Sequence, residues 1–256
     1  MRVSWNKAVL GAALMAGALT SHAAPAFLAG PYKHTAMHRH PSHLITIAPA
    51  GVPVPAVAGG RRAFGLGAIS WAFATGECGE ERWGEESGQE IADANVAVFD
   101  QAGVAYIVST GGQGGVFTCA SDEGMERFIS RYESKHLVGI DFDIEAGQTG
   151  AQVESLVQRI KAAQARRPQL RFSFTVATFA ASDGSNKSLN GAGEAILAAA
   201  RRSGLPEFTF NLMVMDYGSG TRANCVLNKA GVCDMGRSAI QAARNVHAKY
   251  GLPYAQ

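Results

Sequence analysis

Asp141, Asp143 and Glu145 stand at alternate positions of the stretch Leu137-Val138-Gly139-Ile140-Asp141-Phe142-Asp143-Ile144-Glu145. Ile140, Phe142 and Ile144 lie between them, so the spacing predicts a short buried strand with acids on one face and apolar side chains on the other. Successive acids on that face lie about 7 Å apart. Like charges in a low-dielectric site resist ionising together, so one of the three should keep its proton near neutral pH, as a general acid requires. Two plainer roles use the same residues: the solvated polar face of an edge strand, or an oxygen-ligand site for Mg²⁺ or Ca²⁺. A metal serving phosphate transfer would want a phosphate-cradling Gly-Lys element, and none accompanies the acids.

The elements that must position these acids alternate along the chain. Ala63–Phe73 is an apolar run suited to a buried parallel strand, and Gln89–Gln101 has helical spacing stopped by Gly103. Val104–Ser109 reads as a strand running into Thr110-Gly111-Gly112, and Asp122–Ser134 as a helix with Met125, Phe128 and Ile129 on one face. After the acidic strand come a helix over Gly150–Arg167, a strand over Arg171–Val176 and an alanine-rich helix over Leu189–Arg202. Thr209–Met215 then reads as a strand delivering Asp216 and Tyr217, and Met235–Tyr250 as a last helix. Strands alternating with helices predict an α/β fold with a parallel sheet, either doubly wound or a TIM-type (β/α)₈ barrel. The barrel is favoured because no Gly-x-Gly-x-x-Gly turn follows the first strand and polar groups gather where strands end.

Hydrophobic residues make up 47% of the 256 residues and the net charge is +2, so nothing calls for nucleic acid as a partner. Arg2 and Lys7 precede an apolar run from Ala8 to Leu19, and Ser21-His22-Ala23 has the small-x-small form of a cleavage site. Residues 1–23 are therefore expected to be a signal peptide of a secreted or periplasmic protein, with no membrane span. Residues 24–62 are rich in Ala, Pro and Gly and read as a linker, with a short strand at most at His43–Ala48. Its histidines, His34, His38, His40 and His43, lack Cys or acidic companions and are taken as solvated. Residues 63–256 are expected to form one incomplete barrel domain. Export makes Cys78, Cys119, Cys225 and Cys233 candidates for two disulfides, for which three pairings exist. Their spacing matches no zinc signature. No cofactor or metal is expected.

The chain resembles glycoside hydrolase family 18, the chitinase family, over about Ala63 to Tyr250. The family's Asp-x-Asp-x-Glu core appears as Asp141-Phe142-Asp143-Ile144-Glu145. Its Ser-x-Gly-Gly motif appears as Ser109-Thr110-Gly111-Gly112, and its Met-x-x-Asp/Asn strand as Met213-Val214-Met215-Asp216, followed by Tyr217. The loop from Gly76 through Cys78 to Trp83 is similar to a bacterial chitinase D-like branch. The resemblance implies substrate-assisted retaining hydrolysis of β-1,4-linked N-acetylglucosamine polymers, with Glu145 as general acid. Asp143 would orient the substrate's acetamido group and Asp141 would share a proton with Asp143. Gly111 and Gly112 would let the chain turn close to the acids. Met213, Met215, Asp216 and Tyr217 would line the sugar site, with Met215 where the family carries its acetamido-binding tyrosine and Tyr217 offering a hydroxyl one residue on. The family often has Asp where Val138 stands.

Family members continue beyond the Tyr250 region with two more strands, the last bearing a tryptophan under the sugar. Here the tryptophans are Trp5, Trp71 and Trp83. The resemblance therefore implies a C-terminally truncated barrel whose open edges would invite self-association and weaken activity. Two other activities use the same residues: an endo-β-N-acetylglucosaminidase, and an inactive carbohydrate-binding relative, against which the intact acid set argues.

Overall fold

The computed structural model describes residues 30–35, 37, 40–46, 51–54, 68–145 and 147–254. The expected signal peptide, much of the segment 24–62 and residues 63–67 of the expected first strand lie outside the described residues. The elements open with β1 (Tyr32–His34), β2 (Ile69–Ala74) and three two-residue strands, β3 (Gly76–Glu77), β4 (Arg82–Trp83) and β5 (Glu86–Ser87). They continue with α1 (Gly88–Ala102), β6 (Tyr106–Gly111), β7 (Phe117–Thr118), α2 (Asp122–Arg131) and β8 (Leu137–Asp143). The last are α3 (Gly150–Arg166), β9 (Arg171–Ala177), α4 (Gly191–Ser203), β10 (Thr209–Met213) and α5 (Met235–Tyr250).

Local sequence sets the helix ends. Ser87 and Glu90 form a reciprocal capping box at the start of α1, and Thr149 and Gln152 do the same for α3. Asn190 caps α4 and Asp234 caps α5, while Gly103, Gly204 and Gly251 close α1, α4 and α5 in the left-handed conformation that glycine adopts most cheaply.

The central sheet has the order β1-β2-β6-β8-β9-β10, and every neighbouring pair is parallel. That order follows the chain without reversal, whereas a doubly wound sheet reverses direction at a switch point. With right-handed crossovers, a sequential order puts every helix on the same side. This is the winding of a TIM-like fold. The sequence predicts a (β/α)₈ barrel cut short at its C-terminal end, and the described residues do not close into a barrel. They give a six-stranded sheet in which no pairing joins β1 to β10.

Alternation divides the sheet into two chemical faces. Val108, Ile140, Phe142, Phe172 and Phe174 are fully or almost fully buried and join one core with Phe99, Phe128, Leu156, Ile160 and Ile196 from the helices. A run of rings crosses this outer face, with Phe142 and Phe174 centroids 5.9 Å apart and Phe174 and Phe210 6.0 Å apart. The opposite, inner face is polar. It carries Ser109, Asp141, Ser173 and Thr209 in one cross-strand row, and Gly111, Asp143, Thr175 and Asn211 in the next.

The segment read from sequence as a linker supplies the edge strand β1, whose Tyr32, Lys33 and His34 pair with Ser70, Trp71 and Ala72. A three-residue strand is too short to show periodicity. Of the strand considered at His43–Ala48, residues 47–48 lie outside the described residues; Thr46 forms an antiparallel bridge with Pro53, and Asn95 of α1 binds the Ile45 N–H and the His43 carbonyl. No described helix is long and apolar enough to cross a membrane.

The cysteines pair as Cys78–Cys119 and Cys225–Cys233, leaving no free thiol and fitting an oxidising compartment. The second bridge closes the loop beside a small buried cluster of Ala180, Tyr217, Cys225 and Ala242. The residues just before that loop hold the segment after β9, through Ala180 N–H to Asn224 O at 2.8 Å and Ser182 N–H to Arg222 O at 2.7 Å. Replacing Cys225 and Cys233 by Ser is expected to cost about 2–3 kcal/mol in a urea denaturation, the loop-entropy value for so short a loop. An unchanged midpoint would show that the packing alone holds this loop.

Candidate active site

Asp141 lies on β8, 1% exposed, and accepts hydrogen bonds from five side chains on four other strands. Ser109 Oγ on β6 donates to Oδ2 at 2.7 Å, and Ser173 Oγ on β9 donates to Oδ1 at 2.6 Å. Thr175 Oγ1 lies 3.0 Å from both oxygens. Tyr32 OH on β1 donates to Oδ2 at 3.1 Å, and Asn211 Nδ2 on β10 reaches Oδ1 at 3.4 Å. Burial pushes the Asp141 carboxyl up from its ordinary range, and the hydrogen bonds from Ser173, Ser109, Thr175 and Tyr32 oppose that.

Asp143, one row further toward the strand end, has different surroundings. It is 6% exposed and its Oδ1 finds no hydrogen-bond partner among the described residues. Burial, then the charge of Asp141, then that of Glu145 push its carboxyl up to about 8, so it is mostly protonated at neutral pH. Glu145 stands two residues past the end of β8, half-buried.

The turn after β6 is built against these acids. Gly111 has φ +81°, and a Cβ there would stand 2.0 Å from the Asp143 carbonyl oxygen, which accepts from the Gly112 N–H at 3.1 Å. Gly112, at φ +79°, lies against the Phe73 ring in the same way. Gly111→Ala should lose roughly 1–2 kcal/mol from the left-handed backbone alone, with the steric conflict added. A denaturation midpoint equal to that of the wild type would contradict this close approach.

By register Met213, the last residue of β10, pairs with Ala177, two residues beyond the Thr175 that pairs with Asp143. Beyond it Met215 is 50% exposed, and Asp216, also exposed, turns the chain with φ +49°. The turn means that Tyr217 has left the strand, the condition under which it could change faces. Its ring is buried in the cluster beside Cys225, and its hydroxyl has no hydrogen-bond partner among the described residues.

Four residues of this arrangement are absent from the sequence-based candidates: Tyr32, Ser173, Thr175 and Asn211. For two of them the signal was there. In Arg171-Phe172-Ser173-Phe174-Thr175-Val176 the hydroxyls alternate with apolar side chains as the acids do on β8. Asn211 shares the phase of Met213. Tyr32 carried no local signal, since its partner is 109 residues away.

No family model matches the sequence, and no curated protein matches it. Solved structures do. The catalytic domain of a hyperthermophilic chitinase from Pyrococcus furiosus superposes with a TM-score of 0.62 at 22% identity, over 88% of this chain and 66% of that one. Catalytic-site mutants of active domain 2 of a thermostable chitinase from the same organism, complexed with chito-oligosaccharides, give 0.59 at 21% identity, over 90% and 68%. This chain has the fold of those domains. It spans about two thirds of their length.

Proposed function

We propose that this protein is a secreted glycoside hydrolase that cleaves β-1,4-linked N-acetylglucosamine polymers by substrate-assisted retention. The observation that carries the proposal is the buried Asp141–Asp143 pair leading to a half-buried Glu145 at the end of a central parallel strand. The likeness in fold to chitinase domains supports it. Glu145 donates a proton to the glycosidic oxygen as that bond breaks. The substrate's acetamido oxygen attacks the anomeric carbon and forms an oxazolinium ion, which water opens with the Glu145 carboxylate as base. Asp143 faces the acetamido group, whose developing positive charge a carboxyl group at that position stabilises. Because Asp141 and Asp143 share one proton, the pair brings one negative charge to a dry site instead of two.

Gly111 and Gly112 give the turn its close approach to Asp143, and Met213, Met215 and Asp216 extend the site along the end of β10. Product analysis on chitin oligosaccharides and on a high-mannose glycopeptide tests this reading. Hydrolysis of the oligosaccharides with the β-configuration retained supports it. Cleavage of the glycopeptide alone would make the protein an endo-β-N-acetylglucosaminidase with the same chemistry, and no cleavage of either would refute hydrolysis.

A further inference from the structure

We infer that Ser173, Thr175 and Asn211 are positioning residues that hold the negative charge of the acid pair on Asp141 and leave its proton on Asp143. The inference deepens the proposed hydrolase reading and rests on it for its catalytic consequence, but the charge placement itself stands on geometry.

Two acids in adjacent rows of one strand cannot both ionise cheaply, and the hydrogen bonds around each decide which of them keeps the proton. Around Asp141 every neighbour can donate. The Asn211 amide nitrogen can do nothing else, and Ser109, Ser173, Thr175 and Tyr32 each bring one hydroxyl proton. Those donors divide over both oxygens, with Ser173 and Asn211 on Oδ1, Ser109 and Tyr32 on Oδ2, and Thr175 equidistant. Thr175 Oγ1 also lies 3.2 Å from Asn211 Nδ2 and 3.1 Å from Tyr32 OH, so it can accept from a neighbour while its own proton points at the carboxylate. A protonated Asp141 would have to turn one of these donors away.

Asp143 has the opposite setting, with one buried oxygen that meets no donor among the described residues. A neutral carboxyl tolerates that far better than an anion does. The other charged groups nearby do not reverse the assignment. Glu145 adds negative charge on the Asp143 side. Arg171, one row below Ser173, reaches Thr209 Oγ1 at 3.1 Å. Three of the five donors come from β9 and β10, the strands after the acid strand. The motif that carries the family resemblance on β6 and β8 contains Ser109 and does not contain them.

The test is a carboxyl ¹³C NMR titration of the intact chain with labelled aspartate. Resonances are assigned by their loss in Asp141→Asn and Asp143→Asn. In the wild type the Asp143 resonance should titrate at a higher pH than that of Asp141, whose carboxyl burial also pushes up but whose donors favour the anion. In Ser173→Ala/Thr175→Val each lost donor should move the proton partition toward Asp141 by roughly tenfold, so the titration passes to the Asp141 resonance. Thr175→Ser, which keeps the hydroxyl, should match the wild type. If the double variant does not fold, Asn211→Ala on the half-exposed edge strand should give a partial shift in the same direction. An Asp143 titration unchanged in the double variant, or in Asn211→Ala where that is the variant that folds, would overturn the inference. So would a wild type in which Asp141 is the last of the two to lose its proton as the pH rises. This readout needs no turnover, so a chain that hydrolyses nothing would refute the hydrolase reading and leave the charge placement to be judged on its own. Where turnover is seen, Thr175→Val should lower kcat about tenfold with KM little changed, and Thr175→Ser should restore it.

Discussion

Glu145→Gln is expected to lower hydrolysis of chitin oligosaccharides by about 10²–10⁴, the usual worth of a positioned general acid. The substitution keeps shape and removes the transferable proton. Glu145 is half-buried just beyond β8. Stability and oligosaccharide binding should therefore stay close to wild type while kcat falls. Residual activity within a few-fold of the wild type would remove Glu145 from the acid role. Activity restored by Mg²⁺ and lost to a chelator would transfer the three acids to a metal site.

Asp143→Asn should lower turnover nearly as much, because the acetamido group loses the carboxyl group that faces it, and it should also stabilise the fold at alkaline pH. The sign follows from linkage. The Asp143 carboxyl titrates near 8 in the folded chain, against about 3.9 for an unfolded aspartate. Below pH 4 both states are protonated and the group has no effect. As pH rises toward 8 the unfolded chain ionises while the folded chain does not, so stability falls, and above 8 the loss is complete. Asparagine carries no such dependence. Each pKa unit corresponds to about 1.4 kcal/mol, so even partial expression of the shift should raise the melting temperature of the variant by several degrees at pH 9 and hardly at all at pH 4.5. Melting curves that differ by the same amount at both pH values would contradict the placement of Asp143 in a dry, like-charged setting.

What the sequence made legible follows from the range of each interaction. β8 could be read because Ile140, Phe142 and Ile144 alternate with the acids within nine residues, and α1 and α3 could be read because their capping boxes are local. Ser173 and Thr175 sit in an equally clear alternation, but hydroxyls on a strand say nothing about their partner until the register with Asp141 is known. β1 could not be read at all. Its three residues gain their place by pairing with β2, which begins 35 residues after β1 ends, across a stretch whose Pro and Gly content reads as a linker. The expected strand through Met215 ends at Met213, and that difference decides where Tyr217 stands. Alternation cannot mark where a strand gives way to a turn when both carry apolar residues.

The shortness of β1 has a kinetic consequence. Tyr32 reaches Asp141 from a strand of three residues at the rim of the sheet, while the aromatic layer behind β8 and β9 draws little from it. Rims of this kind open by local unfolding at a small fraction of the global free energy. Lifting those residues away exposes one oxygen of Asp141 to solvent and leaves the core intact. The amides of Tyr32–His34 should then exchange with deuterium far sooner than those of Ile140–Asp143, and heat should silence the site before it melts the protein. During synthesis β1 emerges before β2 and can pair only once β2 has followed it.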